Sequence, residues 1–262
     1  MPKIAFATLL THAFIPGFVA LIKSIKKNNP NFNYPFIILD SDRLPERDRK
    51  RIQKEYKHVE FKPVDKKKYA KMIVGKEKTR LRGAYYSIDV FSIYDYDKVI
   101  FLDSDTLCLG DLSPLIKLEC DFAARKDRQK PKKLINTGVM VIGRKYLNKE
   151  FYNNLINWGC LNKGGNLADQ SVISSYLVHA KQYDNITFLT TKWNYSKRKL
   201  HGQEYNAEEW EEVLKSRAGG VRILHYVGIK PWNATLKHPK KRKAPEAGYK
   251  TLEKLWWKYY NE

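Results

Sequence analysis

The fold of this 262-residue chain is decided by KVIFLDSDTLCL, residues Lys98–Leu109. The segment Lys98–Leu102 has the short apolar run of a fully buried strand. Two carboxylates, Asp103 and Asp105, follow at its carboxyl end, and a second apolar run begins at once. Ionised acids between two apolar stretches are costly to desolvate unless a partner compensates them. Because ligands of open α/β sheets bind beyond the carboxyl ends of the strands, the stretch predicts a buried strand that leads into a cation site.

Strand and helix patterns alternate on the N-terminal side of this stretch. The apolar runs predict strands over Ile4–Leu10, Phe36–Leu39 and Val59–Val64, and helices over Pro16–Asn28 and Leu44–Tyr56. Strand-helix-strand spacing of this kind indicates a parallel sheet with right-handed crossovers. A helix over Tyr85–Tyr94 leads into the central strand, and the pattern leaves the basic connector Lys66–Arg82 unassigned.

The C-terminal half continues the alternation. Its patterns predict strands over Gly138–Ile142, Ile186–Leu189 and Val221–Tyr226, and helices over Lys149–Trp158, Gln170–Leu177 and Tyr249–Tyr260. The predicted fold is one α/β domain, residues 1–236, with a mostly parallel central sheet. Residues 237–262 are predicted to form a basic linker and a short helical tail.

Composition bounds the class of protein. A hydrophobic content of 43% is enough for a full core. The three cysteines, Cys108, Cys120 and Cys160, are odd in number and lack zinc-site spacing, which indicates a reducing compartment and no disulfide framework. We find neither a signal-peptide pattern nor an apolar run long enough to span a membrane. The chain is therefore predicted to be soluble and cytoplasmic, with peripheral membrane association left open.

The charge is strongly positive, with 49 Lys and Arg against 28 Asp and Glu, a formal net of +21. One interpretation is an anionic partner: nucleic acid, a membrane surface or a phosphorylated substrate. The other is a solvated lysine-rich surface, because the lysines are spread along the chain apart from the run Lys240–Lys243. Charge alone does not choose between them.

Four blocks of sequence resemble the family 8 glycosyltransferases, glycogenin and its relatives. They are Phe101–Leu112, Asn136–Val139, Ala168–Gln170 and His225–Trp232, in the family's order. The resemblance spans roughly Ile4 to Trp232. It implies a GT-A (Rossmann-like) fold, a UDP-sugar donor with glucose favoured, a glycan or protein acceptor, and retention of anomeric configuration. It also leaves a homodimer open.

The resemblance assigns roles to individual residues. The metal ligands are Asp103, Asp105 and His225, with Mn²⁺ expected and Mg²⁺ as the alternative. Lys230 is expected to contact the diphosphate, and Gly228 to let the backbone approach phosphate oxygens. Further nucleotide-sugar-binding residues are Thr8, Leu9, Thr11, Phe14, Lys78, Ser104, Thr137 and Gly138. The residues expected to contact the transferred sugar in catalysis are Asp127, Asn136, Asp169 and Gln170. For Phe14, a core aromatic opening a helix is an equal interpretation.

The chain departs from the family pattern in several places. Ser87 stands where relatives have a lysine facing the donor, so that charge would come from Lys78, Arg80 or Arg82. Asn166 stands where self-glucosylating relatives have a carboxylate, and Tyr205 is out of register with their acceptor tyrosine. These differences predict an acceptor supplied in trans. The alternative function, from another class, is a protein that binds nucleic acid or an anionic surface through its positive charge.

Overall fold

The computed structural model describes residues 2–72, 76–127, 133–162, 167–232 and 247–262, with the backbone alone at 76–81 and 247. The strands in these ranges are β1 (Ile4–Leu10), β2 (Phe36–Asp40), β3 (Val59–Pro63), β4 (Lys98–Leu102), β5 (Thr106–Cys108), β6 (Phe122–Lys126), β7 (Ile135–Gly143), β8 (Thr187–Leu189), β9 (Tyr195–Ser196) and β10 (Ile223–His225). The α-helices there are α1 (Ile15–Asn28), α2 (Glu46–Glu55), α3 (Ser113–Ile116), α4 (Lys149–Leu161), α5 (Ala168–His179), α6 (Ala207–Ser216) and α7 (Lys250–Asn261).

Short 3₁₀ helices connect these elements. Within the same ranges they are His12–Phe14, Lys66–Tyr69, Lys76–Ser92, Arg144–Tyr146, Tyr183–Asn185, Thr191–Trp193, Lys197–Leu200, Arg217–Gly219 and Ala247–Tyr249. The helix predicted over Tyr85–Tyr94 is thus the second half of a 3₁₀ segment, Lys76–Ser92. That segment also takes in part of the connector that the sequence left unassigned.

The central sheet has the order β3-β2-β1-β4-β7-β6-β8 in the part of the chain that the structure describes. The β3-β2, β2-β1, β1-β4 and β6-β8 pairs are parallel, whereas β7 runs antiparallel to both β4 and β6. The prediction of a mostly parallel sheet is confirmed. The antiparallel strand β7 places its residues beside the carboxyl end of β4, because Leu102 pairs with Val139.

Side chains alternate between the two faces of the central strand β4. Ile100 and Leu102 pack into a core with α1, while Val99 and Phe101 pack on the opposite face among residues of Lys76–Ser92, α4 and α5. Strands covered on both faces need apolar residues at every position. This explains why the segment is a continuous apolar run rather than an alternating one.

A second, smaller sheet has the order β5-β10-β9 within the described ranges. Its Leu107 and Leu224 join a third core with α6 and α7, in which the ring centroids of Trp232 and Trp256 lie 5.0 Å apart. Helix α7 therefore packs onto the body of the fold, against α1 and α6. The predicted boundary at residue 236, the run Lys240–Lys243 and the Gly164-Gly165 loop lie outside the described residues.

Several elements differ from the sequence prediction. The strand predicted at Gly138–Ile142 begins at Ile135, so the Asn136-Thr137-Gly138 block lies inside β7 and not before it. The added residues pair with β6 beyond an irregularity between Ala124 and Arg125. Strands β5, β6 and β9 and helix α6 were not predicted, although α6 begins with a capping box, Asn206 with Glu209.

All three cysteines are free, and Cys108 is buried. In the ranges that the structure covers, every helix is too short or too polar to cross a bilayer.

Candidate functional site

The acidic pair occupies the turn between the end of β4 and the start of β5. The backbone N–H of Asp103 donates to the carbonyl of Gly138 at 2.9 Å, and the Thr106 hydroxyl donates to the Asp103 carbonyl at 2.8 Å. Both flanking strands are anchored in the core, with Leu102 and Thr106 fully buried. The turn is therefore held rigidly, and its two carboxylates project from the sheet edge.

Strand β10 brings a histidine to these carboxylates. His225 pairs with Thr106 in the antiparallel register of β10 and β5, and the Tyr226 N–H donates to the Asp105 carbonyl at 2.9 Å. The His225 Nε2 lies 3.1 Å from Asp105 Oδ1 and 3.5 Å from Asp103 Oδ2. Each of these three residues offers a ligand atom within 4.8 Å of the other two. The structure thus brings together the three predicted metal ligands, although His225 lies more than a hundred residues from the two acids in the chain.

Gly138 leaves room for this cluster. A Cβ at that position would stand 2.6 Å from His225 Cε1 and 3.0 Å from Asp103 Oδ2. Real Cβ atoms essentially never approach other heavy atoms within 3.0 Å. The sequence prediction placed Gly138 among the nucleotide-sugar contacts. In the structure its lack of a side chain is what allows the histidine and the carboxylate to converge.

Lys230 adds a cation to the site. Its Nζ forms a close ion pair with Asp105 Oδ2, donates to the Tyr226 carbonyl at 3.0 Å, and lies 5.8 Å from the centre of the Phe14 ring. The turn that delivers it includes Gly228, whose φ of +86° favours glycine. The buried ammonium of Lys197 donates to the Ile229 carbonyl at 2.6 Å and so anchors the same turn.

The charges of the cluster affect one another. Burial acts to raise the pKa of Asp105, but Lys230 and His225 outweigh it and hold that pKa below the usual range. Burial acts to lower the pKa of His225, but Asp105 and Asp103 raise it overall. Burial, Asp105 and Asp169 raise the pKa of Asp103 against the opposing pull of His225 and Lys230. The ionised form of Asp105 is therefore stabilised by the positive charges of Lys230 and His225.

The second group of predicted residues forms a network of amides around Asp127. Asp127 Oδ2 accepts hydrogen bonds from Gln170 Nε2 at 3.2 Å and from Asn136 Nδ2 at 3.4 Å. Asn136 Oδ1 accepts from the Gly138 N–H at 3.1 Å and from Asn194 Nδ2 at 2.5 Å. The structure therefore brings Asp127, Asn136 and Gln170 together, and it connects them to the metal-ligand cluster.

Asp169 lies at the start of α5 and is held by hydroxyl groups. Its Oδ2 accepts from Ser87 Oγ and from Thr137 Oγ1, each at 2.9 Å. Burial raises the pKa of Asp169 to about 6, although these two hydrogen bonds oppose the shift. Ser87, which replaces the lysine of the relatives, thus binds Asp169 as a neutral hydrogen-bond donor.

The residues predicted from the first strand take different positions. Thr8 is fully buried in β1, and its Oγ1 has no hydrogen-bond partner among the described residues. Leu9 and Thr11 are partly buried at the end of that strand. Phe14 packs edge-on against Trp232 at 5.6 Å, and it lies beside the Lys230 turn.

The remaining predicted positions are distributed as follows. Ser104 is buried between the two acids, and its carbonyl lies where a Cβ on Gly17 of α1 would clash. The structure describes only the backbone of Lys78 and Arg80, and Asn166 lies outside the described residues. Tyr205 is half-buried against Trp210, with ring centroids 4.9 Å apart.

Sequence reasoning did not select Asn194, although the structure places it at the centre of the site. It is 2% exposed, and its Oδ1 lies 2.9 Å from His225 Nδ1. The segment Trp193–Ser196 resembles one in the family 8 relatives, and that resemblance was the available signal. Only the pairing of β9 with β10 shows that this segment lies beside the histidine.

Comparisons with known proteins identify relatives of this chain. A model of the family described as Glycosyl transferase family 8 matches residues 5–235. Glycogenin-1 of Mus musculus is 23% identical over 260 residues, covering 97% of this chain and 74% of that protein. Glycogenin-1 of Homo sapiens is 22% identical, covering 98% and 71%. A crystal structure of the galactosyltransferase LgtC with donor and acceptor sugar analogs has a TM-score of 0.69 at 16% identity, covering 98% of this chain and 95% of that chain. The structural likeness identifies the GT-A type of fold.

Proposed function

The chain belongs to glycosyl transferase family 8, and we propose that it moves a hexose, with glucose favoured, from a UDP-sugar to a hydroxyl of a glycan or protein. We further propose that the transfer uses Mn²⁺ and retains the anomeric configuration. The single observation that carries the proposal is the convergence of Asp103, Asp105 and His225 beside Lys230. Membership of the family makes the chain a glycosyltransferase, and this cluster supports the choice of donor and metal.

The residues present fit a divalent cation. Two carboxylates and one imidazole form a ligand set that suits Mn²⁺, and Gly138 leaves space around them. Asp103, Asp105 and His225 would hold the ion. When bound, it would offset negative charge on the diphosphate of the donor. The ion would also compensate the carboxylates, which at present depend on Lys230 and His225.

Lys230 is the residue that would stabilise the leaving group. Its ammonium pairs with Asp105 and lies on the same turn as Gly228, where backbone can approach phosphate oxygens. The departing UDP gains negative charge as the bond from the sugar carbon to oxygen breaks. A fixed cation at this point therefore stabilises the transition state more than the bound donor.

The network of Asp127, Asn136 and Gln170, together with Asp169, would orient the transferred sugar. Carboxylates and amides can bind several sugar hydroxyls at once, and their mutual hydrogen bonds hold them in place. In a front-face reaction the acceptor hydroxyl attacks from the side that UDP leaves. That chemistry requires orientation and charge stabilisation, and it requires no strong protein nucleophile.

A donor screen tests the proposal. Purified protein is incubated with each UDP-sugar and Mn²⁺, and release of UDP is measured with and without excess EDTA. We expect one UDP-hexose to give the fastest release, and we expect EDTA to abolish it. Asp105→Asn should abolish release while the protein stays folded, because the amide has the size of the buried carboxylate and removes only its charge as a ligand. Undiminished activity in EDTA, or in the folded variant, would contradict the metal assignment.

The alternative function is tested in parallel. Binding to nucleic acid or an anionic surface would draw on the net charge of +21, and its affinity would fall steeply with salt. Tight, salt-sensitive binding to heparin without UDP release from any donor would favour that alternative. UDP release that depends on Mn²⁺ would favour sugar transfer.

A further inference from the structure

The turn that carries Lys230 is held by a second lysine, Lys197. We infer that Lys197 is a positioning residue, which sets where the Lys230 ammonium stands by donating a hydrogen bond to the backbone of that turn. The inference rests on the proposed function, because it deepens the role given there to Lys230. It also extends the site to Tyr249, which lies outside residues 5–235, the part of the chain that the family model matches.

The Lys230 turn, residues 226–230, has little backbone support of its own. Its first residue, Tyr226, is bonded to the backbone of the acidic pair. Residues 227–229 form no backbone-to-backbone hydrogen bond with any other residue that the structure describes. Gly228 is exposed and has a φ of +86°, and glycine restricts the backbone least of all residues. The shape of this turn therefore depends on contacts made by side chains.

Two lysine side chains supply such contacts. Lys230 Nζ donates to the Tyr226 carbonyl at 3.0 Å, and Lys197 Nζ donates to the Ile229 carbonyl at 2.6 Å. The Ile229 carbonyl belongs to the peptide unit that ends at the Cα of Lys230. Because a peptide unit is planar, a bond that fixes this oxygen also fixes the Cα from which the Lys230 side chain departs. Lys197 thus acts directly on the placement of Lys230.

Lys197 is itself held in place. It follows β9 directly, and the last residue of that strand, Ser196, pairs with His225. The Ser196 hydroxyl then accepts from the Arg198 N–H at 3.3 Å, which starts the next 3₁₀ helix. Lys197 is 1% exposed, so water does not compete for its bond to the turn. Hydrogen bonds from a charged donor are roughly twice as strong as those between neutral groups.

Tyr249 supports the Lys197 ammonium from the C-terminal segment. The centre of its ring lies 4.8 Å from Lys197 Nζ, and the residue is buried directly before α7. The attraction between a cation and an aromatic face increases when both are removed from water. A continuous series of contacts therefore leads from the C-terminal segment through Lys197 to Lys230.

The affinity for UDP tests this role without requiring transfer. UDP carries the negative charge that the diphosphate of the donor gains as its bond to the sugar breaks. Lys197→Met keeps an unbranched stem and removes the donor. In the presence of Mn²⁺ we expect it to lower UDP affinity, measured by calorimetry, by about 10-fold. We expect kcat to fall by about 10-fold and donor KM to stay within about threefold. Mn²⁺ affinity without UDP should not fall, because the metal ligands keep their places.

A double variant separates positioning from general damage. If Lys197 acts through Lys230, Lys197→Met should cost nothing further once Lys230→Ala is present. The double variant should then match Lys230→Ala within about threefold in both UDP affinity and kcat, whereas independent losses would multiply. The matched control is Lys98→Met. Lys98 Nζ also donates to backbone carbonyls, at 2.8 and 2.7 Å, but at the end of β4 away from the acids. This control should keep wild-type UDP affinity and kcat.

The outcomes are distinguishable. Wild-type UDP affinity in Lys197→Met, losses that multiply in the double variant, or a matching loss of Mn²⁺ affinity would each overturn the inference. If Lys197→Met does not fold, Tyr249→Leu decides, since it should give a smaller loss of UDP affinity that disappears in the Lys230→Ala background. UDP binding with the expected coupling, without transfer from any donor, refutes the proposed function alone. Transfer with multiplying losses refutes the inference alone.

Discussion

Gly138→Ala is the sharpest test of how the metal site is built. The new Cβ would stand 2.6 Å from His225 Cε1, 2.7 Å from His225 Nδ1 and 3.0 Å from Asp103 Oδ2. Ordinary contact begins at 3.4 Å, so the imidazole must move by about 0.8 Å, the difference between 3.4 and 2.6 Å. The ring is buried between β5 and the Asn194 amide, so it cannot make this move without losing contacts.

The expected cost has two parts. If the ring moves directly away from Asn194, a shift of about 0.8 Å stretches the 2.9 Å hydrogen bond between them beyond 3.5 Å, where it no longer counts as one. The same shift exceeds the tolerance of about 0.5 Å for a working ligand set. We expect Mn²⁺ affinity to fall by about 10- to 100-fold, or about 1.4 to 2.8 kcal/mol. Overpacking should also lower the free energy of unfolding by about 1 to 3 kcal/mol.

The assay is a Mn²⁺ titration followed by electron paramagnetic resonance, with thermal unfolding on the same samples. The matched control is Gly83→Ala, since a Cβ on Gly83 meets nothing within 4 Å. It should bind Mn²⁺ like the wild type. A folded Gly138→Ala protein with the Mn²⁺ affinity of Gly83→Ala would refute the reasoning, because the clash would then have been relieved without moving a ligand.

Three further predictions concern the leaving group, the pH dependence and the acceptor. Lys230→Ala should lower kcat by about 100-fold with a much smaller change in donor KM, because it acts on charge that develops as UDP leaves; a rise in KM alone would make Lys230 a binding residue only. Because the pKa of Asp169 is raised to about 6, we expect the rate of transfer to fall as the pH drops below 6. Asp169→Asn should remove this fall in rate at acid pH. Since that folded-state pKa exceeds the ordinary value of 3.8, the contribution of Asp169 to stability is present below 3.8 and is lost as the pH rises through about 6. Incubation with Mn²⁺ and each UDP-sugar should leave the intact mass unchanged while an added oligosaccharide is modified; a ladder of hexose additions lost in Tyr205→Phe would show self-modification instead.

Local patterns predicted the elements whose environment is uniform. β4 is apolar from Val99 to Leu102 because both of its faces are covered, and a continuous run of this kind is visible in the sequence. The first helix and the second strand were predicted for the same reason, since α1 is buried almost continuously from Ile15 to Ile25 and β2 is buried throughout. The acidic pair was predicted because charge directly after a buried strand conflicts with its surroundings unless it binds something.

Short strands escaped prediction because their partners are distant in the chain. β5 and β9 have three and two residues, and each is stabilised by pairing with β10 rather than by its own pattern. The start of β7 at Ile135 likewise depends on pairing with β6. No short window along the sequence contains β10 together with β5 or β9.

The sequence by itself determined the type of fold, the Asp103–Asp105 turn and, through its four blocks, the family. The tertiary structure alone decided which atoms meet: that His225 Nε2 contacts both acids, that Ser87 binds Asp169, and that Asn194 contacts the histidine ring. The physical reason is the distance along the chain over which each interaction acts. Apolar runs and turn residues act over a few neighbours, whereas a ligand set and the direction of its hydrogen bonds arise only when strands far apart in the chain are paired.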